Sequence, residues 1–377
     1  MSSDLERQLA DLPEEIQRSL SNRRFDRRRF LALAERLRNG ERIDNRAHGI
    51  VAPPEPEDIQ KLPEPSSPEW SRIEGIGLEA LAQGQCALIV MAGGMATRMG
   101  GVVKALVDAI GGKTFLDVRL AEMDALERRM GRRPRLWLMT SEATDASIRE
   151  ALGDRIDGEH LGVFCQSLSL RLNPDGSLFV DADGKPSAYA PGHGDLPDAL
   201  RQSGLLHRFV EQGGRSVMVA NVDNLGATLD PAVIGWHLDQ RSPVTAEVVD
   251  KVGSDRGGIP VRLDGKPVIL EEFRLPEGFD AAQVRVFNTN TFHFDARALL
   301  ELSMDWTYFA VNKQVDDKPV VQFERLIGEV TSNVPTAFLH VSREGGAARF
   351  VPVKDPAELE QRREQIAEIL RARGIDT

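Results

Sequence analysis

Only two cysteines occur in 377 residues, Cys86 and Cys165, and neither belongs to a Cys-x-x-Cys pair or a His/Cys cluster. That scarcity excludes a disulfide scaffold and a thiolate metal centre. Each thiol stands in an apolar run (QCALIV, GVFCQ) and reads as buried and reduced. An excess of positive charge is lacking too: 47 Lys and Arg against 58 Asp and Glu leave a formal charge of −11. Such a balance argues against a general nucleic-acid or anionic-membrane binder. No stretch approaches the ~18 uncharged apolar residues of a membrane span. The polar N-terminus (MSSDLERQLADLPEE) has no apolar signal-peptide core, so a cytoplasmic location is expected. No internal repeat stands out. What remains, 41% hydrophobic and 28% charged residues, is the composition of an ordinary globular protein with material for a real core. At this length, two units or one large unit plus an appendage is the expectation.

Residues 1 to about 50 carry helical spacing, first through Leu5, Leu9, Leu12 and Ile16, then through Phe25, Phe30, Leu31 and Leu37. The basic run Arg23–Phe30 (RRFDRRRF) within this part reads as a solvated helix face, with a phosphate or partner site as the alternative. Residues 52–68, rich in Pro and Glu, read as an extended connector lying over the surface. The pattern changes at Cys86. CALIVMAG is a short apolar run ending in glycines, the mark of a buried strand feeding a loop. Thr114 and Asp117 then cap a helix with Leu116, Leu120 and Met123 on one face and Gly131 to close it. Further apolar runs (RLWLMTS, GVFCQ, RSVMVANVD, VTAEVV, QVRVFNTN, TAFLHVS) alternate with segments of helical potential. This alternation predicts an α/β fold with a largely parallel sheet, whose ligands gather at the carboxyl ends of the strands. Asp264-Gly265, between IPVRL and KPVIL, predicts a hairpin that makes the sheet locally antiparallel. A final helix is marked by the Asp355 cap, Pro356, Glu358, inward Leu359, Ile366 and Ile369, and Gly374 beyond it.

The segment MAGGMATRMGGVVKAL (Met91–Leu106) is the richest in chemistry. Gly93, Gly94, Gly100 and Gly101 let the backbone bend and bring its N–H groups close to an anion. Arg98 and Lys104 add two full positive charges, so donors converge as a triphosphate requires. The spacing does not fit the dinucleotide G-x-G-x-x-G motif. Gly112-Lys113-Thr114 is no Walker loop either, because Val107 stands where that motif needs glycine. In ANVDNLGATLD, which follows an apolar run, Asp223 is placed just beyond a strand end. A carboxylate there suits Mg²⁺, with Asn221 and Asn224 as neutral flankers; an Asp-Asn turn is the alternative.

These segments and several others together resemble the UDP-glucose pyrophosphorylase (UTP–glucose-1-phosphate uridylyltransferase) family. The closest stretch is APGHGDLPDALRQSGLL…VANVDNLGATLDP, residues 190–231. MTS (Met139–Ser141), the Phe164–Gln166 segment of VFCQS, EVVDKVGSDRGG (Glu247–Gly258), VFNTN (Val286–Asn290), VVQFERLIGE (Val320–Glu329) and RFVPVK (Arg349–Lys354) follow the family's order. The resemblance runs from about residue 86 to 356. It implies an α/β, GT-A/Rossmann-like nucleotidyltransferase fold with a central mixed, mostly parallel sheet and an N-terminal helical extension. The implied division is a helical segment and linker over 1–80, a catalytic domain over 81–354 and a C-terminal helix over 355–377, with no room for a C-terminal β-helical domain.

The resemblance also implies roles, position by position. Ala92, Gly93, Gly94 and Lys104 cradle the UTP phosphates. Gln166, Gly192, His193 and Gly194 hold the uracil and ribose, with His193 packing against the nucleoside. Asp223 binds Mg²⁺. Asn221, Gly258, Glu272, Asn288 and Asn290 face the sugar phosphate. Asn288 and Asn290 alternate with Thr289, which predicts both amides on one face of a strand. Lys354 reaches the phosphates from the C-terminal side, and Arg98, Lys104 and Lys354 offset their charge. The implied reaction joins UTP and glucose 1-phosphate, reversibly, into UDP-glucose and pyrophosphate, with no nucleic-acid or membrane partner. The alternatives are a UDP-N-acetylhexosamine or broad-specificity UDP-sugar pyrophosphorylase, and a non-catalytic UDP-sugar sensor. Departures from the family pattern are Met95-Ala96 and Val102-Val103 in the glycine loop, with Arg256, Ile259 and Thr291 near the inferred sugar site.

Overall fold

Apolar runs without alternation become strands here because helices cover both faces of the sheet they build. The structure is a computed structural model that describes residues 4–41, 43–240, 242–253 and 255–376. Its central sheet contains, in chain order, β1 (Ile59–Lys61), β2 (Cys86–Met91), β3 (Arg135–Thr140), β4 (Leu161–Cys165), β5 (Ser216–Asn221), β6 (Val244–Asp250), β7 (Val286–Asp295) and β8 (Thr336–His340). In space the order is β1-β8-β6-β7-β5-β2-β3-β4. Every neighbouring pair is parallel except the two that involve β7. The mixed, mostly parallel sheet expected from the alternation of runs is therefore present.

The helices used below are α1 (Asp4–Ala10), α2 (Glu14–Asn22), α3 (Arg27–Arg38), α4 (Pro68–Ala82), α5 (Phe115–Met130), α6 (Pro231–Asp239) and α7 (Pro356–Ala372). Along β2, Cys86, Leu88 and Val90 enter one core with Phe115 and Met123 of α5 and Ile366 and Ile369 of α7. Ala87, Ile89 and Met91 enter the opposite core with Leu196, Leu200 and Phe209. One strand thus feeds two cores, as a period of two requires.

Local signals behave as their chemistry demands. The Thr114 hydroxyl accepts the Asp117 N–H at 3.1 Å and the Asp117 carboxylate accepts the Thr114 N–H at 3.0 Å. Gly131, at φ +71°, ends that helix in the left-handed conformation. Asp264 (φ +50°) and Gly265 (φ +79°) form the tight turn between Gly258–Leu263 and Lys266–Glu271. This hairpin, however, builds a separate three-stranded sheet with Val51–Ala52, and the antiparallel part of the central sheet comes from β7 instead. At the other end of the chain, Asp355 caps α7 by accepting the Glu358 N–H at 2.9 Å.

Two further expectations need correction. The connector over 52–68 does not only lie on the surface: Ile59–Lys61 pairs with Phe338–His340 as the edge strand β1. The basic run does not form one solvated face. Arg27–Arg29 open α3, whereas Arg23 and Arg24 lie in the turn after α2 and bond into the body of the protein. The helices α1–α3 make a third, smaller core, with Leu5, Leu9, Leu20, Phe30 and Leu33 against Leu168, Leu170, Leu172, Val321 and Phe323. No helix among the described residues is long and apolar enough to cross a membrane.

Candidate active site

β2 and β5 are adjacent and parallel, with Met91 opposite Asn221. The loops that leave them therefore start side by side at the carboxyl edge of the sheet. On the β2 side, the Ala92 N–H donates to the Met139 carbonyl at 2.8 Å, so that amide continues the sheet instead of facing the loop. The N–H groups of Gly93 and Gly94 have no partner among the described residues. Gly93 is glycine because of close approach: a Cβ there would meet Gln166 Oε1 at 2.7 Å. The Ser141 hydroxyl donates to the Gly93 carbonyl at 2.8 Å and fixes the bend.

The loop then doubles back. Met95–Ala96 pairs with Val102–Val103, and Gly100 and Gly101 turn the chain at φ +86° and +73°. This small ladder, with the Lys104 N–H on the Gly94 carbonyl at 3.2 Å, returns Lys104 to the start of the loop. There its ammonium meets Asp223 Oδ2 at 2.5 Å, with the two side chains only 18% and 14% exposed. The second carboxylate oxygen of Asp223 makes no hydrogen bond among the described residues. Arg98 is exposed on the turn of the ladder, and the structure brings it into contact with neither Lys104 nor Asp223.

The loop that carries Asp223 is held from beneath by residues the sequence reading missed. Arg119 on α5, 1% exposed, donates to the Ala227 and Asn224 carbonyls at 2.6 Å each and to Glu122 at 2.9 Å. Glu122 in turn accepts the Leu229 N–H at 2.8 Å. In the sequence these two are an ordinary i, i+3 ion pair on a helix, which gives no sign that the pair is buried. Asn224, read as a neutral flanker of the metal site, is a buried clamp instead. Its amide donates to the Arg349 carbonyl at 3.0 Å and accepts the Val351 N–H at 2.9 Å. The clamp lays RFVPVK beside the loop, where the Val353 N–H donates to the Asp223 carbonyl at 3.2 Å. The exposed Lys354 follows directly. Arg349 itself is anchored on the buried Glu247 of β6 by two bonds of 2.6 and 2.8 Å, and Glu247 also bonds His293 at 2.8 Å. Burial alone would raise the Glu247 carboxyl, but the Arg349 charge and these bonds hold it down at about 2.

Gln166 and the PGHGD turn form a second group. Gln166 leaves β4, lies against Gly93 and donates from Nε2 to the Gly192 carbonyl at 2.8 Å. Gly192, at φ +83°, and Gly194 have no room for a Cβ: one would meet the Arg325 carbonyl oxygen at 2.5 Å, the other the Arg325 carbonyl carbon at 2.6 Å. His193 Nδ1 accepts the Ile327 N–H at 3.0 Å, which leaves the proton of the neutral ring on Nε2. Burial pushes its pKa down to about 4. Asp195 is 1% exposed and binds the Ser167 N–H and the Arg325 guanidinium.

On the side assigned to the sugar, the regular alternation of Asn288 and Asn290 is absent. Between Ala246↔Phe292 and Val248↔Asn288 the pairing of β6 with β7 shifts, leaving Thr289, Asn290 and Thr291 opposite Glu247 alone. Asn290 takes φ +59°, a conformation Asn tolerates better than most residues. The bulge turns the Asn290 amide onto Asn221 Oδ1 at 3.2 Å, while Asn288 Oδ1 accepts the Asn290 N–H at 3.1 Å. Gly258 opens the Gly258–Leu263 strand, and Glu272 pairs with Lys251 at 3.9 Å. No hydrogen bond joins either of them to the Asn221–Asn290 pair among the described residues.

A profile of the UTP–glucose-1-phosphate uridylyltransferase family matches residues 28–368. The chain belongs to this family. Named uridylyltransferase relatives include a protein of Musa acuminata, 27% identical over 72% of this chain and 61% of its own length. A probable enzyme of Schizosaccharomyces pombe is 30% identical over 72% of this chain and 58% of its own. The chain thus spans about three-fifths of the curated relatives it matches first. Among solved structures, a UDP-glucose pyrophosphorylase of Leishmania major in complex with UDP-glucose superposes with TM-score 0.71 at 25% identity, over 93% of this chain and 79% of that one. A UDP-N-acetylglucosamine pyrophosphorylase of Trypanosoma brucei reaches TM-score 0.76 at 19% identity, over 96% and 81%. The second likeness shows the shared nucleotidyltransferase fold alone.

Proposed function

We propose that this chain joins UTP and glucose 1-phosphate into UDP-glucose, releasing pyrophosphate in a reversible, Mg²⁺-assisted reaction in the cytoplasm. One observation supports the reading: two loops from adjacent strand ends bring Lys104 and Asp223 into contact at one edge of the sheet, with Val353 of RFVPVK, next to Lys354, bonded to the same loop. The family relationship supplies the substrates, and the two free thiols suit a reducing compartment.

The chemistry asks little of covalent catalysis. A phosphate oxygen of the sugar phosphate, already ionised at neutral pH, attacks the α-phosphorus of UTP in line and displaces pyrophosphate. Two like charges ~4 Å apart repel by about 4 kcal/mol at an effective dielectric constant near 20. Lys104 and Lys354 offset that repulsion, the Gly93 and Gly94 amides donate to phosphate oxygens, and Arg98 lies on the turn of the same loop. Gln166, Gly192, His193 and Gly194 bind the nucleoside, His193 as a neutral ring with one N–H to donate. Asn221, Asn288 and Asn290 meet the hexose hydroxyls, with Gly258 and Glu272 bordering them.

Among the described residues no three His, Cys, Asp or Glu side chains form a ready-made cage. A single carboxylate with one oxygen spare fits Mg²⁺, which takes one or two carboxylates and completes its shell from phosphates and water. When bound, the ion neutralises charge on the phosphates. Asp223→Asn is expected to raise the Mg²⁺ concentration needed for half-maximal rate, and an unchanged titration would remove Asp223 as the ligand. The deciding experiment measures pyrophosphate release from each nucleoside triphosphate paired with glucose, galactose, N-acetylglucosamine and N-acetylgalactosamine 1-phosphates. UTP with glucose 1-phosphate should lead; a higher kcat/KM for an N-acetylhexosamine 1-phosphate would reassign the sugar.

A further inference from the structure

The basic run Arg23–Phe30 has a use that the reaction above does not absorb. We infer that Arg24, and through it the N-terminal helical layer, is a positioning residue of the nucleoside site. Arg24 takes φ +56° in the turn after α2, so the chain reverses and its side chain reaches inward. Its Nη2 donates to the Cys165 carbonyl at 2.6 Å and lies 3.5 Å from Asp195 Oδ2. The neighbouring Arg23 carbonyl accepts the Leu168 N–H at 2.9 Å. These contacts bracket Gln166 from both sides along the chain. Asp195 completes the frame by accepting the Ser167 N–H at 2.5 Å and pairing with Arg325, whose backbone is clasped by PGHGD. Gln166, Gly192 and the N-terminal turn are therefore tied through one buried carboxylate.

The alternative is that α1–α3 merely cover an apolar surface. Their apolar contacts are with Leu168, Leu170, Leu172, Val321 and Phe323, beyond the segment that carries Gln166. Beside the clamp, the space between layer and loop is a cavity of about 300 Å³, lined in part by Arg24, Ser167, Asp195, Trp306, Tyr308 and Arg325. The layer thus holds the residues flanking Gln166 by hydrogen bonds, one of them from the charged Arg24, so charge and donor geometry should matter there more than volume.

This inference rests on the reading that Gln166 holds the nucleoside, and the test separates the two. KM for UTP and for glucose 1-phosphate, kcat and the urea midpoint are measured for Arg24→Met, Arg24→Lys and Gln166→Ala. Arg24→Met should raise KM for UTP roughly tenfold, the scale of one charge-assisted hydrogen bond. KM for glucose 1-phosphate and the urea midpoint should stay near wild type, and Arg24→Lys should recover part of the loss. An unchanged KM for UTP in Arg24→Met, with a raised one in Gln166→Ala, would overturn the positioning role. A parallel loss for both substrates together with a lowered midpoint would also overturn it, in favour of a purely structural contact. An unchanged KM for UTP in Gln166→Ala would overturn the nucleoside reading itself. If Arg24→Met does not fold, Arg24→Gln, which keeps a donor without the charge, is read in the same way.

Discussion

The Lys104–Asp223 pair is the residue on which the proposed chemistry turns, because neither charge can be removed without leaving the other partly buried and alone. Lys104→Ala should lower turnover by about 10² or more, the scale of one transition-state donor; single-turnover measurement of UDP-glucose formation checks it. His193 makes a second prediction. Its folded pKa, about 4, lies below the ordinary 6.5, so a loosened loop binds a proton that the native one refuses. The stability this gives is present above pH 6.5 and is lost as pH falls from 6.5 towards 4. His237, pushed by burial to about 3, acts in the same direction, and Glu247 adds its own loss between 4.5 and about 2. The urea midpoint should therefore fall steadily on acidification below pH 6.5. His193→Gln, whose amide oxygen can still accept the Ile327 N–H, should flatten the upper part of that fall. The positions of some residues were legible before the structure: Asp223 just beyond a strand end and Lys104 in the glycine loop. Those of Arg119 and Asn224 were not, since nothing in a polar side chain's neighbours along the chain tells that it will be buried against carbonyls from a hundred residues away.

Elements whose cause is local were read with their ends nearly in place. Thr114 and Asp117 specify the start of α5, Gly131 its end, and Asp264-Gly265 a turn that needs left-handed backbone at both positions. The bulge at Asn290 could not be read, because a strand pattern is assumed regular until pairing partners are known, and here the partner β6 supplies one residue against three. Nor was the edge strand β1 visible in a Pro- and Glu-rich segment only three residues long where it pairs. The RFVPVK segment is not a regular strand of the central sheet, and its place depends on Asn224. Asn224→Ala should remove two buried bonds, costing about 1–3 kcal/mol per group left unpaired, and should free Lys354 from the edge. Urea unfolding would show the first effect and a drop in kcat the second. Retained kcat in a destabilised protein would separate the clamp from catalysis.

At the scale of the molecule, the third core joins the first forty residues to a hairpin near residue 320. Deleting residues 1–40 exposes Leu168, Leu170, Leu172, Val321 and Phe323 and removes the Arg24 contact with the Cys165 carbonyl. The truncated chain should bind hydrophobic dye, associate in solution and lose affinity for UTP; a monomeric product with native affinity would refute this role for the layer. The same geometry has a consequence for biosynthesis. The helices α1–α3 precede in the chain all of the surface they rest on, and two of its residues, Val321 and Phe323, are translated almost 300 residues after them. Their apolar faces stay partly uncovered until that hairpin has been made. A layer made before its support must wait for it.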